Sequence, residues 1–331
     1  MDGVDVHRIQ SAEVDLSLAR IERAVGAIDP VFLNSPQYVD EQLCAALGRR
    51  VVVKVETANP LRSFKGRGTG FRVSVLADAR HVVCVSTGNF GQGVAYAARA
   101  RGMAADVFTP TGASPSKLDR IRSLGATVIE AGADVTAAKQ AALAHVAEDA
   151  GRVYLEDGLD REVAEGAGTI GIELLRAYRP DTIVIPVGDG ALITGIARWV
   201  KEHAPDTRIV GVCATGAPSM LHSWRAGRPQ PTAGADTIAE GINVNDPIAA
   251  SVTRMHRLVD DIVLVDDAAM LAAMRLAATT LGLLLEPAGA AGLAAIATHS
   301  PPGDLLATVL TGSNLRTDHL HTLLTPTPAY D

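Results

Sequence analysis

Short β-branched apolar runs recur along this chain, each followed by a stretch whose apolar residues have helical spacing and joined to it by a short turn containing glycine. A strand that is apolar on both faces must be covered on both, so regular strand–helix alternation predicts an α/β fold with mainly parallel sheets between helices. Strands are expected over residues 51–55, 81–85, 105–108, 127–130 and 153–156, with helices over 91–101, 116–124 and 135–148. The rhythm continues with helices over 166–178, 191–203, 268–281 and 288–298, and strands over 182–187, 209–213, 262–265 and 305–310. Ahead of it, Val14, Leu18, Ile21, Val25 and Ile28 mark an amphipathic helix over 11–28, and a second helix over 39–47 stops at Gly48. Residues 222–246, dense in Pro, Gly and polar side chains, read as a surface loop around Glu240-Gly241.

Composition narrows the partners. The 331 residues are 47% hydrophobic and 20% charged, with a mean hydropathy of +0.18, enough for a large core in two modest lobes. A net charge of -7 and the lack of any Lys/Arg stripe argue against nucleic acid. No apolar run is long enough to span a membrane, and the first ten residues lack the basic and apolar regions of a secretion signal, so a cytoplasmic protein is expected. Cys44, Cys84 and Cys213 lie far apart and form no CxxC, which suggests neither disulfides nor zinc.

Chemistry concentrates in NPLRSFKGRG, residues 59–68, where the strand over 51–55 turns at Asn59-Pro60 into a helix start. A lysine that must become a neutral amine needs a dry, close-fitting pocket, and Phe64 and Gly66 on either side of Lys65 suit one. Three further loops end strands: STGNFGQG from Ser86, PVGDGALITG from Pro186, and LTGSN from Leu310. The first two precede helices, where free backbone N–H groups favour a carboxylate or a phosphate, and loops at the carboxyl ends of parallel strands converge on one crevice. Each loop alone is an ordinary tight turn. PVGDGALITG does not fit GxGxxG, because Ile193 stands at the third glycine, and no GxxxxGK[ST] occurs. His319 and His321 near the tail read as solvated polar residues rather than metal ligands.

Taken together, these motifs resemble the threonine/serine dehydratase-like branch of the fold type II pyridoxal-phosphate-dependent enzymes, the family of tryptophan synthase β chain. The resemblance runs from about residue 36 to residue 316 in the family's order, and includes the blocks beginning at Gly166, Glu240 and Glu286. It implies a large cofactor-binding domain, 1–80 and 155–331, and a small mobile substrate-binding domain, 81–154. It implies pyridoxal 5'-phosphate carried on Lys65, which would also serve as the general base at the substrate α-carbon, with Phe64 packed near the cofactor and Asn89 bonded to the ring hydroxyl. Ser86, Thr87, Gly88, Asn89 and Phe90 would line the loop that holds the substrate carboxylate. Gly188, Asp189, Gly190, Ala191 and Leu192 would hold the phosphate, and Thr311 would face the pyridine nitrogen. A homodimer acting on a small amino acid is implied as well.

A neutral hydroxyl at Thr311 does not keep the pyridine nitrogen protonated, which weakens the electron sink and favours loss of a β-substituent. α,β-Elimination from a β-hydroxy or β-substituted amino acid such as threonine or serine, giving a 2-oxo acid and ammonia, is the expected reaction. Racemisation, with Thr87 where racemising relatives carry a serine base, β-replacement as in cysteine synthases, and a non-catalytic cofactor-binding relative are the alternatives. Several positions depart from the pattern. Asp189 replaces the usual glycine, and a carboxylate about 4 Å from a phosphate charge costs about 4 kcal/mol at an effective dielectric of about 20, so the side chain is expected to point away or meet a cation, with Arg62 the candidate. Phe90 replaces a frequent histidine. Cys213-Ala214 replaces the Glu-Pro that helps bind a divalent cation in metal-activated members, so no such metal site is expected. A separate regulatory domain after Thr311 is not expected either.

Overall fold

The computed structural model describes residues 14–325 except residue 114. Residues 11–13 of the first expected helix and the polar N-terminus therefore lie outside the described residues. Two sheets are present. The larger has the order β1-β2-β10-β7-β8-β9, formed by β1 (Gln37–Val39), β2 (Arg50–Val55), β7 (Thr182–Pro186), β8 (Arg208–Ala214), β9 (Asp261–Val265) and β10 (Leu305–Leu310). Of these six strands only β1 pairs antiparallel, on the edge beside β2. The smaller sheet, β5-β4-β3-β6, is wholly parallel and comprises β3 (His81–Val85), β4 (Ala104–Thr109), β5 (Thr127–Glu130) and β6 (Arg152–Leu155). The α/β class and the mainly parallel sheets expected from the alternation are both present.

Helices cover the sheets: α1 (Leu18–Ala27), α2 (Glu41–Leu47), α3 (Lys65–Ser74), α4 (Asn89–Ala100), α5 (Pro115–Ser123), α6 (Val135–Ala147), α7 (Arg161–Ala177), α8 (Ala191–His203), α9 (Ser219–Ala226), α10 (Ala249–Leu258), α11 (Asp267–Thr280), α12 (Pro287–His299) and α13 (Thr317–Leu324). Among the described residues no helix is long and apolar enough to cross a membrane. Central strands of the larger sheet are buried along nearly their whole length, β7 completely, which accounts for their unbroken Val/Ile runs.

Several elements differ from expectation for local reasons. The helix expected over 39–47 begins at Glu41 because Asp40 caps it, its Oδ1 accepting the Leu43 N–H at 2.8 Å, while residues 37–39 pair as the edge strand. The helix expected from 91 begins two residues earlier, at Asn89. The loop expected over 222–246 opens inside α9, which Gly227 ends in a left-handed conformation, and Glu240–Ile242 forms a 3₁₀ turn. Both α10 and α13 fall in stretches where no element was expected.

The helix that begins at Lys65 is tied down from beneath. Arg67 is fully buried and its guanidinium bonds two carboxylates, Glu56 at 2.8 and 2.9 Å and Glu173 at 2.7 and 2.9 Å. Lys54 adds a second cation at Glu173, 2.5 Å away, so two buried positive and two buried negative charges balance. Close backbone contact between α7 and α8 completes the support: a Cβ on Gly195 would lie 1.9 Å from the Ala164 carbonyl oxygen.

Candidate active site

Strands β2, β3, β6, β7 and β10 all end toward one cavity of about 420 Å³, the crevice position in a parallel sheet. Lys65 is the first residue of α3 and lines this cavity. Its turn is stitched to the end of β10: the Phe64 N–H donates to the Thr311 carbonyl at 3.1 Å, the Ser313 N–H donates to the Arg62 carbonyl at 2.9 Å, and Ser63 pairs with Gly312. The amine sits 4.6 Å from the Phe64 ring centre and 5.9 Å from that of Phe90, and forms an ion pair with Asp157. It is a largely buried amine between two aromatic faces and a carboxylate.

Every residue to which the resemblance gave a cofactor or substrate role reaches the same cavity: Phe64, Lys65, Ser86, Thr87, Gly88, Asn89, Phe90, Gly188, Asp189, Gly190, Ala191, Leu192 and Thr311. Gly88 precedes α4 and Gly190 precedes α8, and neither helix start has a side-chain cap. Their first-turn N–H groups are thus available to anions, one set beside Ser86 and the other beside Asp189. Gly190 has φ of 88°, which favours glycine, and a Cβ there would lie 2.1 Å from Ser251 Oγ. At Gly188 a Cβ would lie 2.4 Å from the Gly241 carbonyl oxygen, so the 3₁₀ turn from Glu240 closes on the phosphate-type loop rather than standing apart at the surface.

Asn89 is oriented by two partners. Its Nδ2 donates to Glu286 Oε1 at 2.8 Å and its Oδ1 accepts from Asn314 Nδ2 at 2.7 Å, leaving one amide hydrogen for a ligand. Burial raises the Glu286 carboxyl above its usual range, opposed by the Asn314 N–H and the Asn89 amide. Thr311 Oγ1 makes only a 3.5 Å contact with the Ala288 carbonyl and is free to face a ring nitrogen.

The expectation for Asp189 needs correction. Arg62 does not line the cavity; it is held at φ of 52° beside Arg120. Asp189 instead meets Asp157 and Lys65, and burial followed by the Asp157 charge pushes its carboxyl up to about 7. A phosphate group can therefore lie beside a protonated acid. His319 is also not solvated: it is buried on the cavity wall with both ring nitrogens lacking a hydrogen-bond partner among the described residues. Cys213 and Ala214 are buried at the end of β8, the thiol pushed up to about 12 by that burial.

Sequence reasoning gave no individual role to Asp157, Glu286, Asn314, Lys117 or Arg316, all of which line the cavity, although Glu286 opens one of the family-like blocks and Asn314 ends the LTGSN loop. Lys117 of α5 pairs with Glu240 across the cleft between the two sheets, and Arg316 bonds Glu240 at 3.2 Å. The only signal for Asp157 was its place just past the strand expected over 153–156.

A lysine amine in a dry cleft, flanked by two uncapped helix starts and a strand-end threonine hydroxyl, is a donor set that fits an aldehyde cofactor with an anionic tail and a ring nitrogen. The family model described as pyridoxal-phosphate dependent enzyme matches residues 34–312. The chain belongs to the pyridoxal-phosphate-dependent enzymes. Within fold type II it falls in the threonine/serine dehydratase-like branch. The enzyme is 32% identical over 306 residues to the L-threonine ammonia-lyase of Thermotoga maritima, covering 91% of this chain and 76% of that one. Maize serine racemase superposes with a TM-score of 0.88 at 27% identity, covering 92% of this chain and 96% of that one. A solved threonine deaminase from Solanum lycopersicum, the processed form of isoform 2, superposes with a TM-score of 0.85 at 30% identity, covering 93% of each chain.

Proposed function

We propose that this enzyme catalyses α,β-elimination on a β-hydroxy amino acid, threonine or serine, releasing a 2-oxo acid and ammonia. The observation that carries the reading is Thr311, a neutral hydroxyl at the end of β10 in the same cavity as the Lys65 amine. Bound there, pyridoxal phosphate supplies the electron-withdrawing ring that acidifies the substrate α-hydrogen. The chain's own residues do the rest. Lys65 carries the cofactor, then removes the α-hydrogen as a base. The N–H groups from Gly88 through Phe90 hold the substrate carboxylate. Gly188 to Leu192 hold the phosphate, Asn89 the ring hydroxyl and Thr311 the ring nitrogen. Phe64 and Phe90 keep water from the amine.

Purified protein should be yellow, and borohydride should bleach it while leaving the label covalently on Lys65. A panel of β-substituted amino acids scored for ammonia and oxo acid tests the reaction; no ammonia from serine, threonine or their 3-hydroxy analogues rejects it. A second reading, racemisation, is favoured by Thr87 on the cavity wall and by the likeness to maize serine racemase. T87A would then lose D-amino acid formation while keeping oxo acid release. We also propose that residues 81–154 move as a substrate-binding lobe against 1–80 and 155–331, and that the enzyme works in the cytoplasm as a homodimer. Light scattering on the purified protein tests the last point.

A further inference from the structure

The cleft holds an acid that none of the roles above uses. Asp157 follows β6 and places one carboxylate oxygen on the Lys65 amine. Its other oxygen, Oδ1, is buried and has no partner among the described residues. The next residue, Gly158, is pressed onto the phosphate-type loop, since a Cβ there would lie 2.5 Å from the Asp189 carbonyl oxygen and 2.9 Å from its Cβ. Ser251 pins that carbonyl from the other side, its hydroxyl donating at 2.5 Å. Two acids on different loops are thus held together beside one amine.

We propose that Asp157, set between the Lys65 amine and the Asp189 loop, is the catalytic acid that protonates the departing β-substituent while Lys65 takes the hydrogen from the α-carbon. The inference rests on the elimination reading above. Lys65 accepts the α-proton, the carbon–carbon double bond forms, and the Cβ–O bond breaks with its electron pair on oxygen. That oxygen receives the proton of the carboxyl pair and leaves as water. The pair is refilled by the Lys65 ammonium along the hydrogen bond already present, so the α-hydrogen and the hydroxyl are lost together and nothing is oxidised or reduced.

Charges of both signs face the two acids. Lys65 on α3 is the facing cation and pulls the Asp189 carboxyl down. Glu156 adds negative charge from the end of β6, partly met by Lys139 of α6, with which it forms an ion pair. Tyr154 on β6 is held neutral by burial. Arg254 of α10 donates to the Gly158 carbonyl at 3.1 Å and to the Leu159 carbonyl at 3.2 Å, while Asp15 accepts from its Nε and Nη2. Burial and the mutual repulsion of two carboxylates then push Asp189 up to about 7.

The test compares a leaving group that needs a proton with one that does not. In the D157N holoenzyme, ammonia release from serine should fall by about 100-fold or more, the usual loss for a general acid, while release from β-chloroalanine falls by less than about tenfold. Exchange of the α-hydrogen of alanine in deuterium oxide should persist, because Lys65 performs it. In cofactor-free protein, the Asp189 carboxyl carbon should titrate near neutrality by NMR and move down in D157N as the like charge is removed. D157E should recover serine turnover. If D157N does not retain the cofactor colour, D157S, which keeps a polar contact to Lys65 but no acid, is read the same way. Equal losses on both substrates, or no loss on serine, would overturn the inference. A wild-type enzyme that releases ammonia from neither substrate would instead remove the elimination reading itself.

Discussion

An ionised carboxyl within a phosphate loop would repel the anion it helps to bind, and at position 189 burial against Asp157 resolves that conflict by keeping the proton on up to about 7. The folded chain binds this proton more tightly than the unfolded one, so its stabilising contribution is complete below the ordinary carboxylate range. It is lost as pH rises through about 7. Cofactor-free wild type should therefore lose stability relative to D189N across that interval, by up to about 1.4 kcal/mol per pH unit for one proton, measured by urea unfolding at a series of pH values. Cofactor affinity should also weaken above neutrality in wild type and much less in D189N, as followed by fluorescence titration. Lys65, Asn89, Thr311, Gly88, Gly188 and Gly190 could be singled out because each sits in a local motif that resembles a block of the family, and all of them line the cavity. Asp157 and His319 were not, since what defines them is a neighbour far away in sequence: the amine of Lys65 for one, a cavity wall for the other.

At the scale of elements, α3 is the part on which the reactive lysine is set, and its buried face carries a cluster of charges around Arg67 beside the apolar Phe71 and Val73. Removing the Arg67 guanidinium leaves Glu56 and Glu173 with only Lys54 between them. R67A should destabilise the fold by about 3–5 kcal/mol, seen in denaturant unfolding together with loss of cofactor colour. G195A should cost about 1–3 kcal/mol or more by thermal unfolding, because α7 and α8 have no room to part. Buried strands such as β7 and β8 were easy to anticipate from their Val/Ile runs. The edge strand β1 was not, since its three half-buried residues look like the approach to a helix. Two short helices, α9 and α13, hid in the same way among Pro, Gly and polar residues, where local composition speaks for loop and only tertiary contact decides.

Across the whole molecule, the two sheets face each other over the cavity, and the Lys117–Glu240 pair spans the gap. Glu240 is 41% exposed and is shared with Arg316, so the bridge is worth little in stability. Its effect should appear in closure over substrate: K117A and E240A are each expected to raise KM by about two- to fivefold with kcat nearly unchanged, and added salt should narrow the difference from wild type. Parallel sheets and a crevice at their strand ends were foreseeable from alternation alone. Which loops meet across the crevice was not, because that depends on how two separately folded sheets are turned toward each other.

The Phe32 ring stands so close to Gly66 that a methyl group on that glycine would fall 2.4 Å from it. Phe32 belongs to neither sheet; it comes from the arm that precedes them and is itself buried. The seat of the reactive lysine is therefore moulded in part by an upstream appendage that carries no chemistry. Chimaeras exchanging only that arm between relatives should inherit some of the donor's tenacity for its coenzyme.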